Sequence, residues 1–315
     1  MQPYKMIDTH SDTASELLDR NEPLKKNTLQ VSLEHLKPYQ SYIQFFAAWV
    51  SKTEAHPKKR ATNIFTNLLT QIEQNNDCIS LCKTASDIEH IFASKRIGAV
   101  FTIEDGRALE GAIQNVSFFY SLGVRAITLA WNDDNDLTAG ADTLSDYGLS
   151  AFGKETVREM NRLHMAVDVS HISEKGFWDV LEASSTPVFA SHANCKALCN
   201  HRRNLTDEQI KALIDTKGLI CVNLYPPFIK ENETATLDDL ANHIEHILSL
   251  GGENLIGLGS DFDGISTTVR GINTAADYFR LFEILLRRGI SRTQIDKITH
   301  QNALNFIKRI ENCGE

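Results

Sequence analysis

The sequence has no uninterrupted apolar run of about 18 residues, the length that crosses a bilayer, so no transmembrane helix is expected. It has no excess of basic side chains either. The formal charge is −9, which gives no electrostatic support for a nucleic acid or an anionic membrane surface as partner. No Gly-x-Gly-x-x-Gly follows the first apolar run, so the usual phosphate-binding turn of dinucleotide folds is missing. No internal repeat, low-complexity tract or convincing linker stands out. The stretch from Met1 to Ile7 leads directly into the first apolar run, leaving no room for a secretory signal, and Arg309 to Glu315 shows no hydrophobic anchoring tail. The expectation is therefore a cytoplasmic chain.

Cysteine is sparse. There are six, with Cys78/Cys82 and Cys195/Cys199 spaced i, i+4. No further Cys/His cluster completes either pair as a metal site. Free buried thiols are the expected state, in keeping with a reducing compartment.

Against these absences stands a regular pattern. Eight short apolar runs occupy residues 5–10, 42–50, 99–104, 125–131, 165–171, 187–192, 219–225 and 255–261. Near-continuous Val, Ile, Phe and Ala argues for strands buried on both faces, as in a parallel sheet. Amphipathic segments separate most of them. One stripe is Leu109, Ile113, Val116 and Tyr120; others are Val157, Met160 and Leu163, then Phe177, Val180 and Leu181. Ile210, Leu213 and Ile214 follow a capping box at Thr206 and Gln209. Leu240, Ile244, Ile247 and Leu248 precede the eighth run; Phe279, Phe282, Leu285 and Leu286 follow it, and Ser291 with Gln294 caps the next helix.

Strand alternating with helix eight times points to an α/β fold, a (β/α)8 TIM barrel, with a doubly wound sheet as runner-up. The expected organisation is one catalytic domain over residues 1–315, a length that single barrels often reach. Irregular stretches are expected at 21–41, 51–61, 132–148 and 264–273, where they would wall the barrel's C-terminal face. The Gly-Gly at 251–252 reads as a helix-to-strand turn.

The ends of the runs carry the chemistry. His10 and Asp12 lie two apart at the first and share a face in extended chain. The alternative is that Asp12 merely caps the following helix. Glu104 ends the third run, His171 the fifth, His192 the sixth, and Asp261 with Asp263 the eighth. In a barrel all these ends meet at one mouth. So many buried ionisable groups call for a cation. Three imidazoles and two or three carboxylates exceed the ligand set of one catalytic zinc and suit two ions about 3.5–4 Å apart, sharing one carboxylate.

These residues carry a resemblance. The chain resembles the membrane (renal) dipeptidase family of metallopeptidases, within the amidohydrolase-like barrels, from Ile7 to about Ile307. The matching pieces are Asp8-Thr9-His10-Ser11-Asp12, Glu104-Asp105-Gly106, Asp168-Val169-Ser170-His171, Ser191-His192-Ala193-Asn194, Arg202-Arg203-Asn204 and Gly259-Ser260-Asp261-Phe262-Asp263-Gly264. The resemblance implies a binuclear zinc dipeptidase. His10 and Asp12 would hold one zinc, His171 and His192 the other, and Glu104 with a hydroxide would bridge the two Zn2+. Asp261 is implied as acid/base, Arg203 as the group that meets the substrate's terminal carboxylate, and Tyr225 as a neighbour of the substrate. Asp263 is expected to orient loops, Asp8 to orient the site, and Arg202 to be structural. A C-terminal D-residue in the substrate, and a homodimer, are compatible with the resemblance.

One position departs from the family. A histidine near the substrate in the mammalian members is here Trp131, whose indole donates one hydrogen bond but cannot carry a proton. Two rival readings remain: another amidohydrolase-type reaction, such as N-acyl amino acid deacylation or lactam or lactone opening, and a barrel kept as a binding module. His243 and His246 are expected on a solvated helix face. His201 adjoins Arg202 as a lesser candidate for substrate contact, and His35, His56, His90, His164 and His300 have no supporting constellation.

Overall fold

A computed structural model describes residues 4–231 and 234–313. Met1 to Pro3, Asn232, Glu233, Gly314 and Glu315 lie outside the described residues, so both ends of the expected 1–315 domain do as well. The strands are β1 (Lys5–Asp8), β2 (Ser41–Trp49), β3 (Ile79–Leu81), β4 (Ile97–Glu104), β5 (Val124–Thr128), β6 (Ala166–Asp168), β7 (Phe189–Ala190), β8 (Leu219–Val222) and β9 (Ile256–Leu258).

Eight of them close a parallel ring in the order β1, β2, β4, β5, β6, β7, β8, β9 and back to β1. With helices outside, this is a (β/α)8 barrel, and the doubly wound alternative is excluded by closure. Each ring strand falls within or overlaps one of the eight apolar runs. β3 was not anticipated. It lies against the start of β4, pairing Ile79 with Ile97 and Leu81 with Ala99, and β5 takes over the same edge from Phe101 onward. Its three residues are too few to show a period.

The helices follow the expected segments with some corrections. The 51–61 stretch is not wholly irregular, because the helix Pro57–Gln74 begins inside it. Proline serves well at a helix start, where its missing N–H has no intrahelical acceptor to lose. The stripe from Leu109 to Tyr120 is divided between a 3-10 turn, Gly106–Leu109, and a helix, Gln114–Leu122. Residues 21–41 contain one helical turn, Leu33–Leu36. In the helix Phe279–Arg287 the core positions are Leu281, Phe282, Ile284 and Leu285, whereas Leu286 is exposed. Both expected capping boxes form, at Thr206 with Gln209 and Ser291 with Gln294. Gly251 adopts φ 96°, as its turn requires.

One apolar layer lies between the ring and its helices. A second fills the barrel's interior, where Ile7, Ile43, Phe45, Val100, Ala126, Ala166, Phe189, Leu219 and Cys221 meet Ala303, Phe306 and Ile310. The last three come from the helix Asn302–Glu311, which seals the base. Burying each large side chain there contributes roughly 1.5–3 kcal/mol. The strands' C-terminal ends, all at the other face, are left to carry polar groups.

Candidate metal centre

β1 gives out at Asp8, but the chain stays extended enough to keep contact with the last strand: Thr9 N–H donates to the Leu258 carbonyl and Ser11 bridges Phe262. His10 is thereby held inside the mouth, 1% exposed. Asp12 stands at the N-cap of the helix Thr13–Arg20, yet its carboxylate makes no capping bond. One oxygen, Oδ2, lies 3.5 Å from His10 Nε2 and the other has no partner. Asp12 thus stands at a helix start without capping it, and its carboxylate faces the mouth.

Glu104, the last residue of β4, is the hub. Its Oε2 lies 3.5 Å from His10 Nε2, and its Oε1 lies 3.0 Å from His171 Nε2 and 3.8 Å from His192 Nε2. Asp261 Oδ1 is 3.9 Å from His10 Nε2. His171 and Asp261 both sit at φ 64°, a left-handed conformation that turns each side chain into the mouth at a backbone cost. Burial, reinforced by Asp12, pushes Glu104 up to about 8, and burial pushes Asp261 up to about 6. Burial also draws His171 and His192 well below the usual histidine range. At His10 burial acts the same way, but the Glu104 and Asp12 carboxylates outweigh it and raise the pKa.

Hydrogen-bond accounting tests whether a cation fits. His171 Nδ1 lies 2.7 Å from Asn132 Oδ1, an oxygen that only accepts, so that nitrogen carries the proton. His192 Nδ1 lies 2.7 Å from Ser191 Oγ, whose own hydrogen goes to Asp168 Oδ2 at 2.6 Å, so this nitrogen is also the protonated one. In neutral rings both Nε2 atoms are then bare lone pairs, and they face each other at 2.8 Å beside Glu104 Oε1. His10 Nε2 and Asp12 Oδ1 have no hydrogen-bond partner. The protons that His10 and Glu104 retain are the few this buried cluster has, and lone pairs so crowded are what divalent ions of the zinc type stabilise. Two groupings bring their ligand atoms within 4.8 Å of one another, His10–Glu104–His192 and His10–Asp12–Asp261. These differ from the expected pairing in that His10 belongs to both.

The mouth opens into a cavity of about 510 Å3 lined by Asp12, Glu104, Trp131, His171, Tyr225 and Asp261, among others. Trp131 packs edge-on against Trp49 and near His171, with centroids 5.6 and 6.0 Å away. Tyr225 stands edge-on to Phe228 at 4.9 Å. Arg203 does not line this cavity. It lies beside it, buried, lining a 30 Å3 pocket shared with His171. Its Nη2 donates to the His192 carbonyl at 3.3 Å, its Nε has no partner, and it makes no ion pair among the described residues. Burial brings its pKa down to about 10, against the pull of Asp261 and Glu104. Arg202 is exposed and pairs with Asp142 at 3.2 Å.

The profile of the family described as membrane dipeptidase, peptidase family M19, matches residues 1–315. The chain belongs to this family. A dipeptidase named tcpJ from Claviceps purpurea is 32% identical over 309 residues, covering 94% of this chain and 73% of that one. An uncharacterized dipeptidase of Schizosaccharomyces pombe is 33% identical over 339 residues, with 99% and 82% covered. Among solved structures, dipeptidase AC, a metallopeptidase of family M19, superposes with TM-score 0.91 at 25% identity, covering 98% of this chain and 99% of that one. A metallopeptidase of Rhodobacter sphaeroides, liganded with a phosphinate mimic of the dipeptide L-Ala-D-Ala, shares the fold at TM-score 0.91 and 24% identity, covering 98% and 100%. This M19 chain is accordingly a metal-dependent hydrolase of small peptides. None of its described helices is long and apolar enough to cross a membrane.

Around the mouth of this M19 barrel lie supporting residues that the strand-end pattern did not reveal: Asn132 and Ser191 on the imidazoles, Asp168 behind Ser191, and Asn223, whose Nδ2 donates to Asp261 Oδ2 at 2.9 Å. Asp168 and Ser191 stand in the matching family pieces, and Asn132 and Asn223 lie one and two residues from Trp131 and Tyr225; those were the available signals. Asp8 lies below the site and accepts from His10 N–H, Ser260 N–H, and the Tyr42 and Tyr278 hydroxyls. Asp263 accepts from Thr13 Oγ1 and Gln30 N–H, both at 2.6 Å, tying two loops together.

His243 is a correction. It is not on a solvated face but 1% exposed, accepting from Cys195 N–H at 3.1 Å and facing the Ile229 carbonyl at 2.9 Å. An i, i+3 pair does not reveal which side of the helix meets the core. His246 pairs instead with Asp207 at 2.7 Å. His201 packs on Phe228 at 4.5 Å and accepts from Arg203 N–H.

Proposed function

We propose that this chain is a binuclear zinc dipeptidase, acting as one catalytic domain over residues 1–315 and accepting dipeptides that include a C-terminal D-residue. His10 and Asp12 would hold one zinc and His171 and His192 the other, with Glu104 near both. The observation that carries this reading is the pair of bare Nε2 lone pairs at His171 and His192, 2.8 Å apart and beside Glu104. Two neutral acceptors do not approach so closely without positive charge between or beside them.

Bound there, the ions would supply Lewis acidity towards the scissile carbonyl and make water a nucleophile near neutral pH. The remaining work falls to the chain. Asn223 occupies Asp261 Oδ2, which leaves Oδ1 to take a proton and return it to the departing amine. Arg203, with an unpaired Nε behind the mouth, holds the substrate's carboxylate once the loop of Arg203 and the wall of Phe228 admit it. Trp131 and Tyr225 border the cavity where the rest of the substrate lies and exclude water from it. The six cysteines are all unpaired, which supports a reducing, cytoplasmic setting.

A panel of dipeptides, with L,L and L,D pairs and N-acylated analogues, tests this when metal is counted in the same preparation. Two ions per chain and cleavage of free dipeptides of both kinds are expected. A protein that holds no zinc or cobalt and cleaves no dipeptide overturns the proposal; cleavage of N-acylated substrates alone turns it into a deacylase.

A further inference from the structure

We infer that Asp168 and Ser191 form a positioning relay that fixes the tautomer of His192 and so keeps its Nε2 open to a metal ion; this rests on the two-metal reading above. Asp168 is 2% exposed and sits at the end of β6, pointing into the barrel, where it reaches no candidate ligand directly. Its Oδ1 accepts from Ser170 N–H at 2.9 Å and Ser191 N–H at 3.0 Å. Its Oδ2 accepts from the Thr128 and Ser191 hydroxyls, both at 2.6 Å. Four donors saturate the carboxylate, and it makes no ion pair among the described residues.

The single proton of Ser191 is therefore committed to Asp168. What remains on Ser191 Oγ is acceptor capacity, and two donors use it. One is His192 Nδ1 at 2.7 Å. The other is the Ser170 hydroxyl at 3.2 Å, whose own oxygen in turn accepts His192 N–H at 3.1 Å. The network has one consistent direction. It obliges His192 to carry its proton on Nδ1.

Without that obligation the metal-free mouth would satisfy itself. A proton moved to His192 Nε2 would donate to the bare His171 Nε2 only 2.8 Å away. The relay forbids this easy hydrogen bond and holds two acceptors face to face instead. A carboxylate that dictates an imidazole's tautomer from outside the reacting atoms is a known device, and its amide variant imposes the wrong tautomer. Here the carboxylate acts through a hydroxyl. The same logic gives a sign for Asp168→Asn. With its oxygen kept on the two N–H groups, the new amide would point N–H at Ser191. Ser191 would then accept from the amide and donate to His192 Nδ1, which forces the proton onto Nε2.

The test uses the full chain with zinc alone as probe, titrated against a chelator. Wild type is expected to hold two ions. Ser191→Ala should weaken one of them by about 10–100-fold and leave the other unchanged, the usual range for losing such a support. Asp168→Asn should weaken the same ion at least as much, and Ser191→Thr, which keeps the hydroxyl, should restore it. In metal-free, 15N-histidine-labelled protein, His192 should read as protonated on Nδ1 in wild type and on Nε2 in Asp168→Asn. A merely structural role would shift melting temperature without moving the tautomer. Two ions held with wild-type affinity in both Ser191→Ala and Asp168→Asn, or an unchanged His192 tautomer in Asp168→Asn, would overturn the relay alone. A wild-type chain that binds no zinc overturns the relay together with the functional reading. Should Asp168→Asn not fold, Ser191→Ala still decides the matter.

Discussion

At the base of the barrel, Phe45, Val100, Phe189 and Cys221 pack against Phe306 and Ile310, with Phe189 and Phe306 ring centroids 5.3 Å apart. At the mouth, the same strands end in groups that burial penalises. The change occurs within single strands. Along β4 the inward face reads Val100, Thr102, Glu104; along the sixth run it reads Phe189 then Ser191; along the seventh, Cys221 then Asn223. Polarity climbs two residues at a time from a dry plug to a cluster of acceptors. The mouth also collects non-glycine residues with left-handed backbone, Asp105, His171, Asp261 and Asp263, at roughly 1–3 kcal/mol apiece. Stability is concentrated at one end of the molecule and chemistry at the other, so substitutions at the two ends should have separable effects.

Glu104→Gln should break the comparison most visibly. Turnover of a dipeptide is expected to fall by more than about 1000-fold with loss of bound metal. The metal-free protein should melt close to wild type at neutral pH, because burial already favours the protonated, uncharged Glu104 there. Phe306→Ala is its mirror: a loss of about 3–5 kcal/mol in denaturant unfolding, with kcat per folded molecule unchanged. Arg203→Ala comes next. A drop of about 100-fold in kcat/KM is expected for substrates with a free C-terminal carboxylate, and little for amidated analogues; equal losses on both would count against the assigned role.

Gly264→Ala probes how closely the mouth is packed. A Cβ there would lie 2.1 Å from Asp12 Oδ2 and 2.7 Å from Asp261 Oδ1. Activity should fall about 10-fold while the melting temperature hardly moves. The smallest effect belongs to the base. His300 touches Phe92 edge-on at 5.5 Å, and burial, aided by Lys5 and Arg292, brings its pKa down to about 4. The unfolded chain takes up this proton near pH 6.5, before the folded chain does. Stability from this residue is therefore whole above that pH and is lost as pH falls towards 4. Urea unfolding at pH 7 and pH 5 should show His300→Gln losing on the order of 1 kcal/mol less than wild type across that interval.

Sequence made the ring legible because its strands are buried on both faces and end abruptly in ionisable residues. Glu104, His171 and Asp261 could be picked out individually for the same reason. β3 escaped notice because three residues beside the long β4 leave no pattern of their own. Arg203 could be named by motif, but not its position behind the mouth rather than within it, since that depends on how the loop folds over Phe228. The tautomers of His171 and His192 were out of reach, because they follow from hydrogen bonds to Asn132 and Ser191 that only the folded chain brings together. His243 shows the reverse error, a polar residue given to solvent when the backbone groups of Cys195 and Ile229 were waiting for it.

The closure of the ring sets an order of events during synthesis. β1 pairs with β2 on one side and, through Asp8 and Leu258, with the last strand on the other. Asp8 also receives the Ser260 N–H across 252 positions of chain. His10 and Asp12 leave the ribosome long before Leu258, Ser260 and Asp261, which complete their surroundings. A nascent chain halted before β9 would already carry His10, Asp12, Glu104, His171 and His192 but lack Asp261, with an unpaired β1 edge beside them. The unclosed β1 is thus the segment that most needs shelter while translation continues.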